Sequence, residues 1–489
     1  MHYMSMVVIM RNYSTTFFIS IYLLITPLDN LFAQPISPPE LGDPYSQVLS
    51  LKQEKIIGFS TYRRLQKYNM INNNPLVSSY INYIGNLLAR NTLDNQREYT
   101  FFVTQSNAIN AFAVPGGYIG LNSGLVTLTE NEAQLASVIS HEIGHIKLRH
   151  TAELVANASM NTLPMWIGII AGVFSGNPEA SITAIKAGIG FSRQLNINLI
   201  RSNEVDADDF AVDIMKKANF RISEMSNFFK RMQSATGEIQ RDMAYLSTHP
   251  MYENRVANIE AKAQYQYNII DQSTGDYLYV RNILEVAQTK DIVNTINSIN
   301  AKSIYDTHKL VLLNLKRSNY RTAKKLLLPV YNNNPNNLYL AVLYAKILSE
   351  TNEVEEAISV LNNIKNIYPL NQTISFLMAE MFIENNISLD YAKKLLNSIN
   401  DLYKFNPNYL RILSKMHVLQ NNYFESKIYL SDYHVLLDNT NLAIEILDDG
   451  MRSNKINTSQ REILRNKKIQ IICSYQRPLE PIFGEKTCN

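Results

Sequence analysis

Apolar positions follow two different patterns along this chain, with the change near residue 300. Residues 34–265 mix short β-rich runs with helical periodicity. "YTFFVTQ" (residues 99–105) and "GGYIGLN" (residues 116–122) read as strands, and "AVPGG" between them marks a turn by its Pro and Gly. In "NEAQLASVISHEIGHIKLRHTAELVANAS", which begins at residue 131, Leu135, Val138, Ile139 and Ile143 recur at helical spacing. This predicts one long helix with Thr129 as its cap.

After about Lys302 the pattern becomes helix pairs punctuated by Asn-Pro turns. Ala323, Ala357, Ala392 and Ser426 recur every 34 or 35 residues, and Pro335 and Pro369 are 34 apart. A small residue at that period lets paired helices approach closely, as in tetratricopeptide repeats. The prediction is an all-α solenoid of about four repeats over residues 302–475, with a helical connector at 266–301 and a tail at 476–489. A plain helical bundle is the alternative.

The N-terminus reads as an export signal. Arg11 is the only Lys or Arg before Lys52, the run "FFISIYLLITPL" covers residues 17–28, and Ala33 supplies a small residue for cleavage. The apolar core is shorter than the ~20 residues of a spanning helix. Residues 1–33 are therefore expected to be a cleaved signal peptide, with an uncleaved anchor as the alternative. In an oxidising compartment Cys473 and Cys488, the only cysteines, are expected to pair. Lys plus Arg number 46 against 43 Asp plus Glu, a net charge of +3 without a basic run, which argues against nucleic acid as a partner.

Of the 8 histidines, three fall within ten positions: His141, His145 and His150. On a helix His141 and His145 share a face and can aim ring nitrogens at one ion, with bond lengths of about 2.0–2.1 Å that suit zinc. Glu142 between them can take a proton from water. A third ligand is needed, and the spacing after His145 makes His150 a poor one: Leu148 stands where a glycine would be required. His150 is read as structural. In "RSNEVDADDFAVDIM" (residues 201–215) Glu204 and Asp208 are again four apart. Glu204 can complete the ligand set while Asp208 accepts the other N–H of His141 and fixes its tautomer. Asp206 points elsewhere on that helix.

"NAFAVPGGYIGLNSGL", "HEIGH" and Glu204-x-x-x-Asp208 followed by "FAVDIM" resemble the HtpX/CAAX-prenyl-protease family of zinc metallopeptidases. The "STHPMYENR" stretch (residues 247–255) and the repeats resemble its periplasmic, β-barrel assembly-enhancing branch. The resemblance implies an α+β gluzincin-type metalloprotease domain at residues 34–265 ahead of the solenoid. It also implies one Zn2+ per chain on His141, His145 and Glu204, Glu142 as general base, and His249 close to the metal. Arg255 is either an oxyanion stabiliser or half of a structural salt bridge. "GGYIGLN" is the strand implied to pair with substrate by β-addition.

Preceding Pro250, His249 sits on a restricted backbone. As a fourth ligand it would hold the enzyme latent; as a hydrogen-bond donor it would assist catalysis. The uncharged stretch at residues 163–174 is either a buried helix or, as the resemblance suggests, a lid or membrane-contacting loop. The implied function is degradation of misassembled outer-membrane β-barrel proteins, with the repeats docking on the β-barrel assembly machinery. A chaperone or scaffold with a latent zinc site is the competing reading.

Overall fold

The computed structural model describes residues 45–92, 97–157, 197–234, 245–251, 254–266, 275–399 and 406–476. The expected signal peptide, the 163–174 stretch and the tail beyond 476 lie outside these residues. The described residues from Val48 onward belong to one compact unit. Among the described residues no helix is long and apolar enough to cross a membrane.

Helix α1 (Leu51–Lys67) starts in a capping box between Ser50 and Gln53, and α2 (Pro75–Ala89) starts on Asn74, whose side chain accepts from the Leu76 and Val77 amides. Three strands follow: β1 (Thr100–Thr104), β2 (Ala111–Val114) and β3 (Tyr118–Asn122). Gly116 and Gly117 turn β2 into β3 at φ of 87° and 89°, where a Cβ on Gly116 would lie 2.5 Å from the Glu54 carbonyl oxygen. The spatial order is β1-β3-β2, with β3 parallel to β1 and antiparallel to β2. The "GGYIGLN" strand is thus the middle one, with backbone partners on both sides. It cannot receive a substrate strand, contrary to the sequence expectation; β1 and β2 are the edge strands, and β1 carries a bridge from Ile71 at its Thr104 end.

After the short α3 (Ser123–Leu128) comes α4 (Glu132–Lys147), which carries the HExxH motif. Its cap is Asn131, whose side chain accepts from the Gln134 amide, and not Thr129, which ends α3 and bonds Tyr277 at 2.8 Å. The predicted single long helix is in fact two. Arg149 takes φ 57° and separates α4 from α5 (His150–Asn157), so the motif lies in the last turns of α4 and not at mid-helix. Every residue of α4 from Glu132 to Gly144 is buried, against α2, β2, α6 (Ile197–Lys217) and α7 (Ser223–Ser234). The short α8 (Tyr245–Thr248) and α9 (Arg255–Ala263) complete this part.

Helices α10 (Asp276–Gln288) and α11 (Ile292–Ser298) lead into five helix pairs. These are α12 (Ile304–Lys316) with α13 (Tyr320–Asn333), α14 (Leu338–Glu350) with α15 (Val354–Ile367), α16 (Gln372–Glu384) with α17 (Leu389–Asn397), α18 (Pro407–Leu419) with α19 (Tyr423–Leu436), and α20 (Thr440–Arg452) with α21 (Thr458–Ile471). Successive pairs begin 33 to 35 residues apart, and the described residues hold one pair more than the spacing of small residues suggests. Ala323, Ala357, Ala392 and Ser426 are all buried, each three residues into the second helix of its pair. The turns inside four pairs place Ser318, Asn352, Asn386 and Asn421 at positive φ, a conformation asparagine tolerates better than most residues.

The array folds back onto α1. Buried Arg63 donates to the Val435 carbonyl at 2.6 Å and to Asp438 at 2.8 Å, and Arg64 reaches the same carboxylate at 3.2 Å. Cys473, just beyond α21, is disulfide-bonded; Cys488 lies outside the described residues.

Candidate metal centre

Two helices meet at their smallest residues. A Cβ on Gly144 of α4 would sit 3.1 Å from the backbone oxygen and 3.2 Å from the Cα of Ala207 on α6. This close crossing brings the acidic turn of α6 against the histidine turn of α4. Glu204 and Asp208, buried on the inner face, meet His141 and His145, while Asp206 is exposed, as its helical phase predicts.

A third element closes the group. The Tyr245 amide donates to Ile109 O just ahead of β2, and the His249 amide donates to Tyr245 O at 2.7 Å. The Tyr245 ring stacks on His249 at 4.5 Å. His249 is thereby held over the histidine turn of α4.

His141 Nε2 lies 2.9 Å from His145 Nε2 and 3.2 Å from His249 Nδ1, and Glu204 is 3.4 Å from His141 and from His145 and 3.1 Å from His249. One ligand atom from each of the four residues falls within 4.8 Å of all the others. A tetrahedron with bonds of about 2.0–2.1 Å has edges of about 3.3 Å, so this donor set fits a four-coordinate cation of zinc's size. Three imidazoles and one carboxylate, nearly all buried, are also the donor chemistry such an ion takes.

Around these four lies a second layer. Asp208 Oδ1 lies 2.9 Å from His141 Nδ1, which turns the Nε2 side of the ring toward the cluster. Arg255 holds Asp208 through Nε at 2.7 Å and Nη2 at 2.8 Å, and Glu204 through Nη1 at 2.8 Å; Nη1 also donates to Pro250 O at 3.0 Å. All three nitrogens of Arg255 are engaged, so it stands as the salt-bridge partner of the two carboxylates. His150 Nδ1 lies 2.8 Å from His145 Nδ1. Glu142 is fully buried, and neither of its oxygens has a hydrogen-bond partner among the described residues; His249 Nε2 is 3.4 Å away.

The protonation pattern follows from these contacts. Burial lowers the His145 imidazole to about 3 and His150 to about 4, so both rings are neutral. Burial would do the same to His141, but Asp208 and Glu204 raise it to about 9 in the metal-free site. Burial also opposes the charge on Glu204, yet the facing His249, His141 and His145 rings hold its carboxyl well below the usual range. Glu142 goes the other way: burial pushes its carboxyl up, against the pull of His249 and His141. One carboxylate is built to stay charged and the other to exchange a proton.

The sequence reading brought together His141, Glu142, His145, Glu204, Asp208 and His249, and the structure places all six in one site. It left Arg255 open between an oxyanion role and a salt bridge without naming its two carboxylate partners, and it did not foresee that Tyr245 backs His249. The HExxHxxxxH spacing was visible, but not the turn that folds His150 back.

Residues 75–263 match peptidase family M48. The chain is 35% identical to the putative β-barrel assembly-enhancing protease of Vibrio cholerae over 47% of its own length and 48% of that protein, so this match spans about half of the relative. It is 24% identical to the β-barrel assembly-enhancing protease of Escherichia coli (strain K12), over 86% of this chain and 88% of that one. A mitochondrial metalloendopeptidase of Schizosaccharomyces pombe, OMA1, is 28% identical over 31% of this chain and 42% of its own. Residues 75–263 are thus similar to peptidase family M48, and the chain is similar along most of its length to the β-barrel assembly-enhancing proteases.

Proposed function

We propose that this chain is an exported zinc endopeptidase, carried to the periplasm by residues 1–33, that degrades misassembled outer-membrane β-barrel proteins and assists their assembly. The observation that carries the reading is the convergence of His141, His145, Glu204 and His249 ligand atoms within 4.8 Å, next to a buried carboxylate with no hydrogen-bond partner among the described residues. His141, His145 and Glu204 would hold one zinc ion, which when bound supplies Lewis acidity toward a water and a substrate carbonyl. Glu142 removes the water's proton and delivers it to the leaving amine, a task suited to a carboxyl raised by burial. Asp208 and Arg255 keep His141 and Glu204 in register. An extended substrate would add to the outer edge of β2 (Ala111–Val114).

His249 is the latch in this reading. Its Nδ1 occupies the fourth corner of the donor set, the position a substrate-activating water needs. With His249 there the enzyme rests; with His249 withdrawn it works. Such restraint suits a protease surrounded by partly folded clients.

Residues 302–475 are proposed as a tetratricopeptide-repeat array that docks the enzyme on the β-barrel assembly machinery, and the 33- to 35-residue recurrence of helix pairs supports this. The array also sustains a second reading, a chaperone or scaffold with a latent site, because a groove of about 360 Å3 opens between α2 and the first helices of the pairs. Cleavage of an unfolded protein by the zinc-loaded wild type and by Glu142→Gln separates the two. Proteolysis lost with zinc retained supports the enzyme; wild type that never cleaves, while both proteins suppress client aggregation, supports the scaffold.

A further inference from the structure

The helix that carries His141 and His145 stops two residues after the motif. Leu148 closes it, and Arg149 adopts φ 57°, a left-handed conformation that an arginine keeps only where the surroundings enforce it. Here α1 enforces it: Glu54 Oε1 accepts from Arg149 Nε at 2.9 Å and Nη2 at 2.8 Å, and Nη2 also donates to the Leu49 carbonyl. In a continuous helix a residue five positions on lies about 140° around the axis. The forced turn cancels that rotation. It brings His150 Nδ1 to 2.8 Å from His145 Nδ1, with the two rings at 77°.

Only one of two facing nitrogens can carry the proton between them. His145 turns Nε2 toward His141 and Glu204, so as a ligand it must keep that nitrogen bare and carry its proton on Nδ1. His150 then accepts through Nδ1. We propose that His150 is a positioning residue of the metal centre, fixing the tautomer and ring angle of His145 as Asp208 fixes those of His141. The turn at Arg149, and the buried ion pair that holds it, exist to deliver this acceptor. The inference rests on the reading of the four-residue cluster as a metal site.

The test measures Zn2+ affinity of the full mature chain, by competition with a chromophoric chelator at one fixed pH. The variants are His150→Gln, which can keep an acceptor oxygen, and His150→Leu, which fills the space without one, with Glu204→Ala as the ligand-loss control. His150→Leu is expected to bind Zn2+ about 10- to 100-fold more weakly, while His150→Gln recovers most of the affinity. With Co2+ in place of Zn2+, the visible spectrum of the Leu variant should differ from wild type and that of the Gln variant should not. Should the Leu variant fail to fold, the Gln variant decides alone, since a loss as large as tenfold there overturns the proposal. Equal losses in Gln and Leu, or none in Leu, also overturn it. Wild type that binds no Zn2+ at all defeats the metal-site reading itself, a result distinct from unchanged affinity in the His150 variants.

Discussion

Replacing Arg255 by Met removes the guanidinium that faces both Glu204 and Asp208 and keeps much of the side chain's volume. Arg255 is 2% exposed, and its guanidinium lies 2.7–2.8 Å from Asp208 and 2.8 Å from Glu204, above the Phe229 ring at 4.8 Å. Methionine preserves contact with Phe229 but leaves two buried carboxylates without their partner. Breaking a buried ion pair from one side costs about 3–5 kcal/mol. In the metal-free protein His141, raised to about 9, still supplies a positive charge beside Asp208 at neutral pH. The expected loss therefore lies near the lower end, ~3 kcal/mol. Urea unfolding of the metal-free protein, followed by circular dichroism, measures it. Adding zinc should shrink the deficit, because a bound cation compensates Glu204 directly. A metal-free loss below ~1 kcal/mol, the range of an exposed pair, would refute the claim that Arg255 holds this site together. Unchanged stability with impaired cleavage would assign Arg255 to the oxyanion instead.

Other consequences are open to direct measurement. His249→Ala should raise basal proteolysis, seen as self-cleavage on incubation; a fall of ~10²-fold at unchanged zinc content would make His249 a catalytic assistant. Metal uptake at pH 7 should release a proton from His141, because the empty site keeps that ring protonated up to about 9, whereas His145, at about 3, has none to give. Apparent zinc affinity should accordingly rise with pH toward about 9; titration calorimetry in buffers of different ionisation enthalpy detects the proton, and no release contradicts the assignment. Asp438→Asn should loosen the array from α1, since Arg63 loses its carboxylate partner, at a cost of about 1–3 kcal/mol. Faster amide exchange in α19 and α20 would show it, and unchanged exchange would mean that the Arg63–Val435 hydrogen bond suffices.

What the sequence revealed was local. The i,i+4 spacings of His141 with His145 and of Glu204 with Asp208 determine which side chains share a helical face, and no tertiary knowledge is needed to see it. The 34-residue recurrence of Ala323, Ala357, Ala392 and Ser426 likewise exposes the helix pairs, because a buried small residue is required wherever two helices cross closely. The last pair escaped this reading because Arg461 stands at the corresponding position of α21. The end of α4 escaped it too. Residues 148–150 contain no Gly or Pro, and Arg149 is left-handed only because Glu54, 95 residues away in sequence, holds it. The order of the sheet was similarly hidden: "GGYIGLN" is apolar enough for either an edge or the centre, and the parallel partner that buries it is set by α2 and β1 packing together.

Metal content is the most direct test of the central claim. The purified mature chain, dialysed against trace zinc, should carry about one zinc per chain by elemental analysis, and Glu204→Ala and His145→Ala should each lose most of it. Stoichiometric zinc retained in both variants would show that these residues do not form the site.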